Sequence, residues 1–261
     1  MATLAVRVVE QIASIHQSIF RAYEENVSSY PIVSVELVAQ PEPDHQVEHV
    51  ANPPFVVFKP TWDYDGEPVA GKHACQADVP ESVKSGLIVW NECDFAVQTF
   101  LPSLRKQLSS SLPGTRVQWF HAVIAPVFVF RQADAGADVP DPAHSAFHIT
   151  LPGNGGEYIV DFTIGQYGYG MERWFLSFEE YKAMIRDRLW YICDDEGRGE
   201  SLQGAFDDKH LSVQRIIREL CDEFDWDTLK QMAESDRIAL INEMTSRALC
   251  EEHCPMEHAY A

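Results

Sequence analysis

The chain has 261 residues, 46% of them hydrophobic and 11% aromatic, enough apolar side chain to bury the core of one large domain or of a domain with a helical annex. Forty acidic residues against twenty basic ones leave a formal charge of −20, a balance that repels phosphate backbones and anionic headgroups and argues against nucleic acid as a partner. No stretch approaches the roughly 18 consecutive apolar residues of a membrane span.

Residues 4 to 24 carry Leu4, Val8, Ile12, Ile15, Ile19 and Phe20 at helical spacing, which predicts an amphipathic helix ending before Ser28 and Pro31. Arg7, Glu10 and Gln11 interrupt this segment too early for a signal peptide. A strand is expected at Ile32 to Val38, then a proline-rich acidic linker over residues 41 to 54, a buried strand at 54 to 60, and turn-rich chain beyond it. Residues 85 to 100 pass from an apolar segment into a helical pattern, with Ala96, Phe100, Leu104 and Leu108 on one face. Pro102 predicts a kink there or two abutting helices. Residues 116 to 131 read as one long strand or two strands bent at Pro126, followed by a loop and then by a hairpin. Ser177 and Glu180 form a capping-box pattern that opens a helix in WFLSFEEYKAMIRDRLWYI, residues 194 to 209 are an acidic connection, and Leu211 to about Leu249 is helical again. Helices, a strand-rich centre and more helices predict an α+β architecture.

The hairpin is HITLPGNGGEYIVD, residues 148 to 161. A turn centred near Asn154-Gly155 gives facing residues an index sum of about 308 to 309, which sets Asp161 opposite Phe147 or His148. A carboxylate beside an imidazole fixes its tautomer and steadies the imidazolium, the second half of a nucleophile, base and orienter triad. Cys93 sits where the apolar segment meets a helix start, where backbone N–H groups and the helix dipole stabilise a thiolate. The six cysteines, at 75, 93, 193, 221, 250 and 254, are too scattered for a disulfide scaffold and suit a reducing, cytoplasmic setting.

In this order and placement the residues resemble the transglutaminase-like branch of the papain-like cysteine enzymes, over roughly residues 85 to 170. The matching elements are Cys93-Asp94-Phe95-Ala96, the apolar helix through Leu108, Gly114-Thr115-Arg116-Val117, His148, Val160-Asp161-Phe162-Thr163 and Gln166-Tyr167. The resemblance implies a helix bearing the nucleophile packed on an antiparallel sheet, with helical additions at both ends. The divisions are an N-terminal helix and linker (1–50), a catalytic core (51–176) and a helical C-terminal annex (177–261). It also implies Cys93 as nucleophile, His148 as general base and acid, and Asp161 as orienter. His144, which precedes a small residue and is followed closely by an aromatic one, competes for the base. Trp90 and Asn91 are candidates for the wall and second donor of an oxyanion hole, and Gln166 and Tyr167 for substrate contact.

The implied activity is acyl transfer from an amide, ester or thioester through an acyl-enzyme, with a peptide, protein or small molecule as substrate and no cofactor. The outcome could be hydrolysis, deamidation, transamidation, or small-molecule acyl transfer or cyclisation. A catalytically inactive member used as a protein-binding module is the alternative. Cys250, His253, Cys254 and His258 are ligand types that zinc prefers, but their spacing fits no common finger. His73 and Cys75 form a rival nucleophile pair without a helix start behind them, and no Walker loop, G-x-S-x-G elbow or H-E-x-x-H pair occurs.

Overall fold

The computed structural model describes residues 3–38, 55–71, 75–131, 143–193, 206 and 208–251. The proline-rich linker, His73, the acidic connection except Phe206, Asp208 and Lys209, and the C-terminal His253, Cys254 and His258 lie outside the described residues.

Helix α1 (Leu4–Asn26) buries Val9, Ile12, Ile15, Ile19, Phe20 and Tyr23 along one stripe, as the spacing predicts, and the Thr3 hydroxyl accepts the Val6 N–H to start it. Strand β1 (Ser28–Ser29) pairs with β4 (Val69–Ala70), and β2 (Ile32–Val38) runs antiparallel to β3 (Val56–Trp62). Helix α2 (Glu81–Ile88) occupies what the sequence presents only as an apolar segment, and α3 (Cys93–Ser111) follows after a turn at Trp90 and Asn91. The chain from 116 to 130 breaks at Pro126 into β5 (Arg116–Ile124) and β6 (Phe128–Phe130). The two halves join different sheets: β6 extends the β2–β3 pair by parallel pairing with β3.

The main sheet is built from β5, β7 (Ala143–Thr150), β8 (Glu157–Val160), β9 (Phe175–Ser177) and β10 (Ile185–Ile192), in the order β10-β5-β7-β8-β9 with every neighbour antiparallel. Between β9 and β10 stands α4 (Phe178–Tyr181), and the chain closes with α5 (Asp208–Glu223), α6 (Trp226–Gln231) and α7 (Glu234–Glu251). The fold is mixed α+β with mainly antiparallel sheets.

One face of the sheet, with Val117, Trp119, Phe147, Ile149 and Val160, shares a single core with α1, α3, α5, α6 and α7. Phe120, Ala122, Ile124, Ala146 and Ile159 on the other face are covered by Tyr167, Phe178, Tyr181 and Met184. A third cluster joins Trp90, Leu87, Phe128 and Phe130 beneath the smaller sheet. Each large side chain fully buried this way contributes roughly 1.5–3 kcal/mol. The C-terminal helices thus share their core with α1, and the main sheet runs past residue 176 through β9 and β10. No described helix is long and apolar enough to cross a membrane.

One helical expectation is corrected, and of the two alternatives at Pro102 the pair of abutting helices is excluded. The capping box at Ser177 and Glu180 is present, but the helix it opens stops after four residues and residues 185–192 are strand β10. Positive φ values at Asp187 and Arg188 (55° and 57°) interrupt that strand, and its aromatic, β-branched end pairs with β5. Pro102, in turn, does not split α3, which runs unbroken from Cys93 to Ser111. Its ring sits on the exposed side, and the Gln98 carbonyl that a residue-102 N–H would have satisfied accepts a hydrogen bond from Arg218 Nη2 at 2.8 Å.

Gly86 of α2 packs against the 3-10 turn Ile164–Tyr167 so tightly that a Cβ on it would stand 2.7 Å from the Gly165 carbonyl oxygen. This approach brings the end of α2, and Asn91 after it, beside the turn that carries Gln166 and Tyr167.

Candidate active site

The β7–β8 hairpin pairs Phe147 with Val160, His148 with Ile159 and Thr150 with Glu157, an index sum of 307. Its connection is longer than a two-residue turn: Leu151 N–H donates to Gly156 O, and Gly153 and Gly156 take φ values of 65° and 94° that suit glycine. The slip relative to the expected register carries Asp161 past His148 to a position across from Ala146, two residues from each histidine.

Asp161 turns to His144. The His144 Nε2–H donates to Asp161 Oδ2 at 2.7 Å, with both side chains fully buried. The same oxygen accepts the Tyr181 hydroxyl at 2.7 Å, while Oδ1 accepts the Thr163 N–H at 3.0 Å and the Thr163 hydroxyl at 3.4 Å. Four donors therefore hold a buried carboxylate that would otherwise be strongly disfavoured. Burial pushes the Tyr181 hydroxyl well above the usual tyrosine range, so it remains a donor.

His148 is corrected as the base. Its ring lies between Phe120 and Phe178, centroids 6.2 and 5.1 Å away, and neither ring nitrogen has a hydrogen-bond partner. Glu157 Oε2 stands 3.7 Å from Nε2, outside hydrogen-bonding range. Burial lowers its pKa; the Glu157 carboxylate opposes this and Arg116 adds to it.

Cys93 is the first residue of α3 and is half-buried. Its side chain lies close enough to His144 to help raise the imidazole's pKa, and with Nε2 committed to Asp161, Nδ1 is the ring nitrogen left for it. Burial alone would depress the His144 pKa; the Asp161 carboxylate, then its hydrogen bond and the contact with Cys93, reverse that and raise it well above the ordinary value. The Tyr167 ring packs edge-on against His144 with centroids 5.0 Å apart, and its hydroxyl donates to Ala143 O at 2.8 Å. A second line ties the helix start to β7 and β5: Ser145 Oγ donates to Asp94 Oδ1, and Trp119 Nε1–H donates to Ser145 Oγ at 2.9 Å.

The first turn of α3 begins at Glu92, whose side chain does not cap it and instead accepts the Tyr23 hydroxyl at 3.3 Å. Backbone N–H groups at such a start favour negative charge on the sulfur and on a carbonyl oxygen under attack. Asn91 sits at φ 62°, and its backbone N–H donates to Gln166 Oε1 at 3.2 Å, so that N–H is not free to serve as a second oxyanion donor. Trp90 stacks on Trp62 with centroids 5.7 Å apart and packs on Phe130, a buried position in the third core cluster. Gln166 and Tyr167, expected to meet substrate, both meet His144; Gln166 Nε2–H donates to Nδ1 at 3.1 Å.

The structure thus brings together Cys93, His144, Asp161, Gln166 and Tyr167, with Asn91 bound behind Gln166, and leaves His148 and Trp90 apart from them. The spacing of His144 from the following aromatic residue was a usable signal for the imidazole that meets Asp161. Tyr181 carried no such signal, since it lies 20 residues from Asp161 and reaches it only through the turn after β9. Cys75 is half-buried beside a bridge to Ile32, and among the described residues no three His, Cys, Asp or Glu side chains gather as a metal site would require. No family model matches the chain, and neither does any curated protein or solved structure.

Proposed function

We propose that the chain is a cysteine-dependent acyl-transfer enzyme of the transglutaminase-like, papain-like type, with Cys93 as nucleophile, His144 as general base and acid, and Asp161 as orienter. The observation that carries this reading is the convergence on one buried imidazole: Asp161 holds its Nε2 at 2.7 Å, and Cys93, the first residue of α3, lies close enough to contribute to its raised pKa. Nδ1 takes the thiol proton, and the sulfur attacks the carbonyl carbon of an amide, ester or thioester. Nδ1 then returns the proton to the leaving amine, alcohol or thiol, leaving an acyl-enzyme on Sγ. Water or an amine displaces the acyl group by the reverse sequence. Asp161 keeps Nε2 protonated throughout, so that Nδ1 is the nitrogen that takes up and gives back the proton.

Peptide-resolved iodoacetamide labelling tests this near neutral pH. Cys93 should react faster than the five other cysteines, His144→Ala should abolish the advantage, and His148→Ala should preserve it. Equal rates at all six cysteines would remove the catalytic reading and favour a binding module. Incubation with glutamine peptides and thioesters, followed by mass spectrometry of the Cys93 peptide, should trap the acyl group and identify the donor class.

A further inference from the structure

Gln166 has both ends of its amide committed. Asn91 N–H can only donate, so the atom facing it at 3.2 Å is the amide oxygen, and the NH2 group necessarily points at His144 Nδ1, 3.1 Å away. Asn91 is itself fixed in the left-handed region at the turn before α3, and Gln166 is buried on the 3-10 turn pressed against Gly86. The amide therefore cannot swing round to offer its oxygen to a protonated Nδ1 without abandoning Asn91. It is a fixed donor aimed at the very lone pair that the Cys93 thiol must use.

We propose that Gln166 is a positioning residue that sets the proton balance between Cys93 and His144: its clamped N–H competes for the Nδ1 lone pair and favours the neutral thiol–imidazole pair over thiolate–imidazolium. This deepens the function proposed above and rests on it. The opposing influences are the charged and titratable groups around the pair: Asp161 beyond β8 favours imidazolium, Asp94 on α3 bears on the site through Tyr167, and Tyr167 and Tyr181 close it as neutral hydroxyls. Gln166 is the group among them that opposes imidazolium by a hydrogen bond. In the transfer itself the S–H bond breaks, an N–H bond forms at Nδ1, and the Gln166 N–H gives up its acceptor.

The test is Gln166→Met, with two readouts: the iodoacetamide rate of Cys93 at about pH 7, and the titration of the His144 C2 proton by NMR, assigned by its loss in His144→Ala. Removing one competing hydrogen bond should raise the labelling rate roughly two- to tenfold and move the His144 midpoint to higher pH. A purely structural role predicts the opposite signs, with slower labelling and a midpoint falling back toward the ordinary value as the ring loosens. That result, or no change in either readout, overturns the proposal. If Gln166→Met does not melt cooperatively, Gln166→Ala, which leaves room for water at the Asn91 N–H, gives the same comparison. His144→Ala separates the two levels: unchanged labelling there overturns the catalytic reading, whereas slowed labelling there together with an unmoved Gln166→Met profile overturns only the role of Gln166.

Discussion

Asp161→Asn is the sharpest probe of the site because it changes one buried atom and reverses its hydrogen-bonding sense. In the native chain Oδ2 accepts from His144 and Tyr181 at 2.7 Å each, and Oδ1 accepts from Thr163. An asparagine can keep its oxygen on Thr163, but its NH2 then meets two groups that both donate. The Tyr181 hydroxyl can turn and accept. His144 must either face the NH2 with its own N–H or move its proton to Nδ1, where Gln166 already donates. Losing two charge-assisted bonds and gaining one donor–donor conflict, with partial relief from the tyrosine, comes to about 2–4 kcal/mol. Urea denaturation at several pH values is the assay. His144 has a raised pKa in the folded state, so its stabilising share is fully present below its unfolded value of 6.5 and is lost as pH rises through the folded value. The native protein's advantage over the variant should therefore be largest near pH 6 and shrink on the alkaline side. A stability gap under about 0.5 kcal/mol, or one constant from pH 6 to pH 10, would refute the reasoning.

Tyr181→Phe removes one donor to the same carboxylate from a fully buried position and should cost about 1–2 kcal/mol of stability by urea denaturation while leaving Cys93 labelling measurable. His148→Phe should be neutral or stabilising at neutral pH, since the imidazole buries two unbonded nitrogens among aromatic rings. Its folded pKa is lowered, so native stability falls as pH drops through the unfolded value of 6.5, and thermal melts of the variant should lose part of that acid-side decline. Arg218→Met should cost about 1 kcal/mol by orphaning the Gln98 carbonyl, and Pro102→Ala, which restores an N–H at that rung, should suppress the loss; strictly additive effects in the double-mutant cycle would show that the two are unconnected.

The parts of the fold that were legible in the sequence are those where one short-range signal acts alone. The buried stripe of α1, the capping box at Ser177 and the helical periods of α5 and α7 each follow from spacing within a few turns. Residues 174–192 misled because a capping box fixes where a helix begins and says nothing about its length; pairing with β5, remote in sequence, decides that Ile185–Ile192 is strand. At Pro102 the local penalty was real, but the compensating guanidinium comes from residue 218. The site divides the same way. Cys93 at a helix start and Asp161 after a strand could be read locally, whereas the choice between His144 and His148 turned on a register shift of one or two residues set by the four-residue hairpin tip. Asn91 and Gln166 were noticed as polar residues near the chemistry. That they bind one another, and leave the amide donor facing His144, depends on two turns brought together by tertiary packing.

That packing gives Gly86 a reach beyond its own helix. A methyl group there would meet the Gly165 carbonyl oxygen at 2.7 Å and the Phe128 ring at 3.0 Å, and a shift of Gly165 would carry with it the adjoining Gln166, which meets the imidazole. The hydrogen-bonding neighbour of His144 is in this sense anchored at a hydrogen atom seven residues upstream of Cys93. Gly86→Ala should accordingly change the pH response of Cys93 labelling more than it changes the melting temperature, a remote control of reactivity exerted through the spacing between two backbones.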